Sequence, residues 1–265
     1  MFQEKATVLW NHRVGPEYYR IGLTCHHRYK DARPGQFVML RFPDQMTPFL
    51  RRPFSIHKLI SDNNQTIGIE LLYKVVGEGT KKLSRIQVDD IVDILGPLGN
   101  GFVFSHGYKT VYIVAGGIGV APLVFLATYL REKGVDTGKC MVFLGGRSKN
   151  DLLCKDEFVD IGMELLITTD DGSEGDQCFI THPLEVASKR SRPDVIYACG
   201  PLEMLTCVLD ITEKYRVPCQ VSIETAMACG MGACLGCAVE KKGPEKAYLH
   251  ACLDGPVFDA GSIKI

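Results

Sequence analysis

Three cysteines fall within nine residues, Cys229, Cys234 and Cys237 in the stretch CGMGACLGC, and Cys252 follows after fourteen more. This spacing constrains the chain more than any other feature. Cys-x4-Cys-x2-Cys with a distant fourth thiol is the plant-type arrangement for a [2Fe–2S] cluster, in which four thiolates hold two irons. Gly230, Gly232 and Gly236 let the backbone wrap closely and turn N–H groups toward sulfur. Zinc held by Cys234, Cys237, Cys252 and His250 is an alternative, but it leaves Cys229 without a role. Inert core cysteines are a blander one. A Rieske centre needs two histidines, and only His250 is near. Cys219 competes as a fourth thiol, although it opens a strand-like run and is expected to be buried.

The tail from Glu224 onward is rich in Met, Gly, Ala and Cys and has no long element. About 40 residues cannot build a sufficient core unaided, so something else must hold this segment together. The preceding sequence has two further textures. Up to about Val103, short apolar runs such as RPGQFVMLRF and NNQTIGIELLYKVV are broken by Gly, Pro, Asn and Asp, the pattern of an all-β barrel or sandwich. LGPLGNG, residues 95–101, reads as the loop that ends it.

From about Lys109 strands and helices alternate. TVYIVAGG, GKCMVFLGG, MELLITTDDG, PDVIYACGP and PCQVSIE read as strands. PLVFLATYLREKG, DLLCKDEFVDIG and LEMLTCVLDITEKY read as helices. That alternation implies a parallel sheet covered on both faces. The charge-free run Val111–Leu130 has the length of a membrane span. Gly116-Gly117 and Pro122 in its middle instead predict a buried strand, a glycine turn and a buried helix.

The formal net charge is −1 in 265 residues, and no run of Lys or Arg points to nucleic acid. The opening MFQEKATVLW lacks the apolar core of a secretory signal. A reducing, cytoplasmic setting without disulfides is expected, with Cys25, Cys140, Cys154, Cys178 and Cys207 serving as small apolar residues.

Two further motifs bear on ligands. VAGGIGVAPL (114–123) follows a strand and opens a helix, so its N–H groups can meet a pyrophosphate, or its glycines can simply permit tight packing. ITTDDGS and ACGP end later strands on the same ligand-binding edge. In the first region, RRPFSIHKL offers Arg52 as a fork for phosphate, Ser55 as a hydroxyl and Phe54 as an aromatic face. GEGT, residues 77–80, offers backbone donors and a hydroxyl for a second anion. No Ser/His/Asp set or carboxylate pair asks for acid–base or nucleophilic chemistry.

Taken in order, LRRPFSI, YKVVGEGTKKLS, DILGPLGNGF, VAGGIGVAPL, CGPLEML, CGMGACLGCAV and ACLDGPVF resemble the ferredoxin reductase-like superfamily. Within it they resemble the electron-transfer subunits of B-type dihydroorotate dehydrogenases. The resemblance implies a β-barrel FAD domain (1–103), an α/β parallel-sheet NAD-binding domain (104–223) and a small [2Fe–2S] domain (224–265). It implies that Arg52, Pro53, Phe54 and Ser55 contact the flavin or its phosphates. Leu72, Tyr73 and Lys74 would line the flavin, and Gly79 and Thr80 would hold the pyrophosphate. Gly116, Gly117 and Gly119 would open the nicotinamide nucleotide site, with Cys199, Gly200 and Pro201 near the nicotinamide. Cys229, Cys234, Cys237 and Cys252 would ligate the cluster. Cys178 departs from the family, where a glycine often stands.

The implied partner is an FMN-bearing catalytic subunit that oxidises dihydroorotate, in an assembly of two of each chain. Electrons would pass from FMN through the cluster and FAD to NAD⁺. A diaphorase subunit serving a ferredoxin, a hydrogenase or a sulfur-reducing partner is the alternative. For the nucleotide, Arg147 favours a 2′-phosphate, and Asp170 or Asp171 favours a free ribose hydroxyl.

Overall fold

The computed structural model describes residues 1–43, 49–63 and 65–265. Six antiparallel strands close a barrel: β1 (Phe2–Arg13), β2 (Tyr18–Thr24), β3 (Phe37–Arg41), β4 (Arg52–Asp62), β5 (Gln65–Lys74) and β6 (Ile91–Leu98). Their order is β1-β2-β5-β4-β3-β6, which leaves no free edge. Alternation in the sequence sends Ala6, Val8, Ile21, Leu23, Ile69 and Leu71 inside. The short helix α1 (Glu78–Leu83) follows β5. Leu95–Leu98, expected as part of a loop, continues strand β6. Gly96 permits this because a side chain there would meet Val38 and the Tyr29 hydroxyl.

One polar clamp fixes the start of β4. Arg51 reaches Asp93 on β6, with Nη1 2.7 Å from Oδ1, and donates to the carbonyls of Asp93 and Met39. Asp93 also accepts from Gln3 at 3.0 Å and from Arg41 at 3.3 Å. The clamp therefore ties β1, β3, β4 and β6 together directly beside Arg52.

The second layer is a six-stranded sheet. Strands β7 (Val111–Gly116), β8 (Met141–Gly146), β9 (Glu164–Thr169), β10 (Val195–Cys199) and β11 (Cys219–Ser222) run parallel. Helices α2 (Val120–Glu132), α3 (Lys155–Ile161), α4 (Thr181–Arg190) and α5 (Leu202–Tyr215) join them. The charge-free run is the buried strand β7, a glycine turn and the buried first part of α2, as its composition required. Among the described residues no helix is long and apolar enough to cross a membrane. Helix α3 starts later than its sequence suggests, because Cys154 turns the chain with a left-handed φ of 64°. Helix α4 has no counterpart in the sequence reading, since only Leu184 and Ser188 of its ten residues are buried.

The tail solves its core problem by sharing other cores. Strands β12 (Ala238–Glu240) and β13 (Tyr248–His250) pair with each other. Strand β14 (Val257–Asp259) adds antiparallel to β11, so PCQVSIE is not the last strand of the sheet. Cys237, Ala251 and Cys252 are buried in one cluster with Phe37, Met39 and Leu98 of the barrel and Val221 of the sheet.

Barrel and sheet also meet along α2, whose Phe125 enters the barrel core. Tyr18 of β2 donates to Asp151 at 2.5 Å, and burial with that bond raises its pKa far above the ordinary phenol value. Arg20 and Lys58 pair with Glu157 of α3. Burial opposes ionisation of Glu157, but these two cations outweigh it and hold its pKa at about 2.

Candidate functional site

The thiol loop is built by crowding and by backbone direction. Gly230 and Gly232 have φ of +72° and +82°. A Cβ on Gly230 would fall 2.4 Å from Met39 Cγ, and one on Gly232 would fall 2.3 Å from Leu253 Cδ1. Only glycine satisfies both demands. Gly236 is different, for its nearest neighbour would be Cys234 Sγ at 3.7 Å, an ordinary contact.

The four thiols form an inner and an outer pair. Cys237 and Cys252 are each 2% exposed, and their sulfurs lie 3.2 Å apart. Cys229 is half-buried and Cys234 exposed. The N–H groups of Met231 and Cys234 both point at Cys229 Sγ from 3.4 Å. Burial raises the Cys229 pKa, but these donors and Ala233 N–H overcome it and bring the thiol down to about 7. Thiolate-stabilising amides and paired sulfurs suit a soft metal centre. Cys219 lies on β11, buried in the same core cluster as Cys237 and Cys252, with its thiol proton held firmly by desolvation. The His250 backbone N–H donates to Asp254 at 2.7 Å, and its ring Nδ1 lies 4.0 Å from the same carboxylate.

The two glycine turns pack on each other. A Cβ on Gly119 would lie 2.3 Å from the Cys199 carbonyl oxygen, and one on Gly116 would lie 2.7 Å from Pro201 Cδ. These two glycines are explained by close packing of the 116–119 turn against Cys199-Gly200-Pro201. Gly117 is explained otherwise, because it has φ +52° and nothing within 4 Å of its missing Cβ. It is the glycine whose open face is free for a ligand. Strand β7 lies between β8 and β10, so this turn sits at the topological switch point where open α/β sheets bind ligands. Beside it, burial pushes the Cys199 thiol up to about 12, against a hydrogen bond with Ser222.

Gly119→Ala is therefore expected to lower Tm strongly through a backbone clash, whereas Gly117→Ala should cost only the roughly 1–2 kcal/mol of a left-handed alanine yet weaken NADH binding by about tenfold or more. Thermal melts and NADH titrations check the pair. Normal NADH affinity in Gly117→Ala would remove that residue from the nucleotide site.

The barrel motif opens β4. Arg52, Pro53, Phe54 and Ser55 are all half-buried. Around them large apolar side chains stay exposed, Phe49 at 75% and Val76 at 78%, which suits a flat aromatic ligand that would cover them. Phe54 meets Tyr73 edge-on, with centroids 5.9 Å apart. Leu72 and Tyr73 are 3% and 2% exposed, so their side chains belong to cores rather than to a ligand surface. Tyr73 instead supports Phe54 and donates to Asn11 at 3.1 Å.

Lys74 is drawn to Glu17 and Asp151. Gly79 is buried in α1. The Thr80 hydroxyl accepts from the N–H groups of Val76 and Gly77 and donates to the Gly77 carbonyl, so it shapes its own turn. Arg51 and Asp93 were not singled out from sequence, nor was His57, which is buried between β4 and α2. The doublet Arg51-Arg52 was the one available signal for the clamp.

These sites are adjacent. Met39, packed beneath Gly230 of the thiol loop, pairs in register with Pro53 of the barrel motif. The thiol loop therefore rests on the side chain of a β3 residue whose backbone partner on β4 belongs to the motif. A barrel, a dinucleotide-type sheet and a four-thiol loop in mutual contact define an iron–sulfur oxidoreductase of the ferredoxin reductase-like class.

Comparison with known proteins gives the particular family. Residues 224–264 match the iron–sulfur cluster binding domain of dihydroorotate dehydrogenase B, and residues 113–210 match the oxidoreductase NAD-binding domain. The dihydroorotate dehydrogenase B (NAD⁺) electron transfer subunit of Caldanaerobacter subterraneus subsp. tengcongensis is 40% identical over 260 residues, covering 98% of this chain and 97% of the relative. The Enterococcus faecalis subunit of the same name is 37% identical, covering 98% of each. A solved NADH-dependent reduced ferredoxin-NADP oxidoreductase, described for flavin-based electron bifurcation, superposes with a TM-score of 0.83 at 29% identity, covering 98% of this chain and 89% of that one. The chain belongs to the family of dihydroorotate dehydrogenase B electron transfer subunits.

Proposed function

We propose that this chain passes electrons between the FMN of a catalytic partner and NAD⁺, with a [2Fe–2S] cluster on Cys229, Cys234, Cys237 and Cys252 and an FAD on Arg52–Ser55. The carrying observation is the contact of Gly230 with Met39, whose in-register partner is Pro53, so that the thiol loop packs on the strand next to the barrel motif. FAD, when bound, supplies the exchange between two-electron nicotinamide chemistry and one-electron iron–sulfur chemistry. The chain's own residues bind and orient. Arg52 offers a guanidinium to phosphate, Phe54 an aromatic face backed by Tyr73, and Gly117 an open backbone for the dinucleotide.

Met231, Leu235 and Leu253, 44%, 60% and 53% exposed, lie within or beside the thiol loop, and the partner docks over them. That partner is an FMN-containing dihydroorotate dehydrogenase subunit in an assembly of two of each chain. Anaerobic purification from the native host tests the reading. An FMN protein should co-purify, and the pair should reduce NAD⁺ with dihydroorotate. Co-purification with a ferredoxin, hydrogenase or sulfur-reducing subunit, without orotate formation, would replace the partner assignment.

A further inference from the structure

His57 sits where β4 is irregular. Ile56 pairs with Leu71 and Lys58 with Glu70, so two residues of β4 span one step of β5 and His57 is the extra one. A bulge of this kind re-aims a side chain, and bulges gather beside active sites. Here the ring is carried to the seam between the barrel and α2, where it is fully buried. Its Nδ1 lies 2.8 Å from the carbonyl oxygen of Ala121. A carbonyl can only accept, so Nδ1 carries the proton. Ala121 is the second residue of α2, immediately after the Gly116–Gly119 turn, and Phe125 one turn later is inserted in the barrel core.

The surroundings make this bond the ring's main tie. Nε2 faces Glu70 Oε1 at 3.7 Å and Glu157 Oε2 at 3.8 Å, beyond hydrogen-bond range. Arg20 and Lys58 are the cations that balance those carboxylates. Burial, the largest influence, keeps His57 neutral with a pKa of about 4. His57, Cys154 and Glu157 have ligand atoms close enough to suggest a metal site. Charge argues against it: Arg20 donates to Cys154 Sγ at 3.1 Å and also to Glu157, and a divalent ion would have to displace bound cations.

We propose that His57 is a positioning residue whose Nδ1–H bond to the Ala121 carbonyl sets the distance between strand β4 and the dinucleotide turn, and thereby between flavin and nicotinamide. The proposal rests on the reading that the flavin lies on Arg52–Ser55, two residues before His57 on the same strand. One strand then carries both the flavin contacts and the tether to the nucleotide helix. A displacement of the order of 1 Å between reacting groups is enough to slow transfer markedly.

The test uses two amides, each keeping a nitrogen near one ring-nitrogen position, on the full chain loaded with FAD. In His57→Asn the amide nitrogen occupies the place of Nδ1 and can still donate to Ala121. In His57→Gln it lies nearer the place of Nε2 and cannot. FAD content is measured first by absorbance. A wild-type chain without FAD would overturn the flavin reading itself, a result separate from any difference between variants.

With FAD bound, anaerobic flavin reduction by NADH should stay close to wild type in His57→Asn and fall about tenfold or more in His57→Gln. The NADH dissociation constant should change little in either. Amide hydrogen exchange across residues 116–125 should quicken only in His57→Gln. Equal rates in the two variants, or a slow Asn and a fast Gln, would overturn the proposal. If His57→Gln does not fold, a slow His57→Asn with normal FAD content overturns it alone. Glu157→Gln, which loosens the seam but leaves the Ala121 bond in place, should lower Tm without the rate loss. A rate loss equal to that of His57→Gln would assign the effect to the seam instead.

Discussion

Cys252→Ser should abolish the iron–sulfur centre while leaving the reduction of flavin by NADH in place. Removing even an outer hydrogen-bond partner of a ligand costs roughly 10–100-fold in metal affinity, so losing one of four ligands should cost more. Cys252 is buried against Cys237 with sulfurs 3.2 Å apart. Iron and sulfide content, the visible spectrum and the reduced-state paramagnetic signal should all be lost. Electron delivery to the partner should fall by at least about a hundredfold, because the flavin then has no carrier beside it. Cys219→Ala is the control, since Cys219 lies on β11, outside the 229–252 segment, and its loss should leave the cluster intact. Loss of the cluster in Cys219→Ala, or its survival in Cys252→Ser, would reverse the choice of fourth ligand. His250→Ala should also retain two irons, which separates this site from a zinc site built with His250.

What could be read from the sequence was what local chemistry dictates. A cluster held by four sulfurs, as proposed, would demand a fixed local thiol spacing, so such a spacing stands out in the chain without a fold. The glycine turns and Cys199-Gly200-Pro201 follow strands, and strand ends of an alternating pattern share one edge of the sheet. Local pattern could not separate Gly116 and Gly119, which serve the packing of two turns, from Gly117, which faces open space. That distinction depends on residues some 80 positions away.

The same limit hid Asp93, the partner of Arg51. It hid β14, which has only three residues and joins the sheet from the tail. Cys154 was read as a small apolar residue, yet Arg20 donates to its sulfur, and Cys207 from the same group is exposed. Helix α4 escaped because only Leu184 of its apolar residues is fully buried, with Ala187 packed beside it, too few for a helical stripe.

Asp93→Ala should destabilise the barrel by several kcal/mol and should release FAD with it. The Asp93 and Arg51 side chains are 10% and 13% exposed, so the change leaves a buried guanidinium without its counter-ion. Breaking such a pair from one side costs about 3–5 kcal/mol, more than the pair itself contributes, because the remaining charge is stranded. Arg51 also donates to the Met39 carbonyl, and Met39 lies under Gly230, so the disturbance should reach the thiol loop as well as Arg52. Urea titrations at neutral pH should show a lower midpoint, and gel filtration should strip flavin from the variant but not from wild type.

The dependence on pH has a definite sign. Burial raises the Asp93 pKa, but bonds from Arg51 and Gln3 and the nearby charges outweigh it and hold the folded value below the usual 3.8. A depressed folded pKa contributes stability that is full above the unfolded value and is lost as pH falls through the folded one. The gap between wild type and Asp93→Ala should therefore be constant from neutral pH down to about pH 5 and shrink below about pH 4. A gap that shrank between pH 7 and 5 would assign the clamp's stability to some other titrating group.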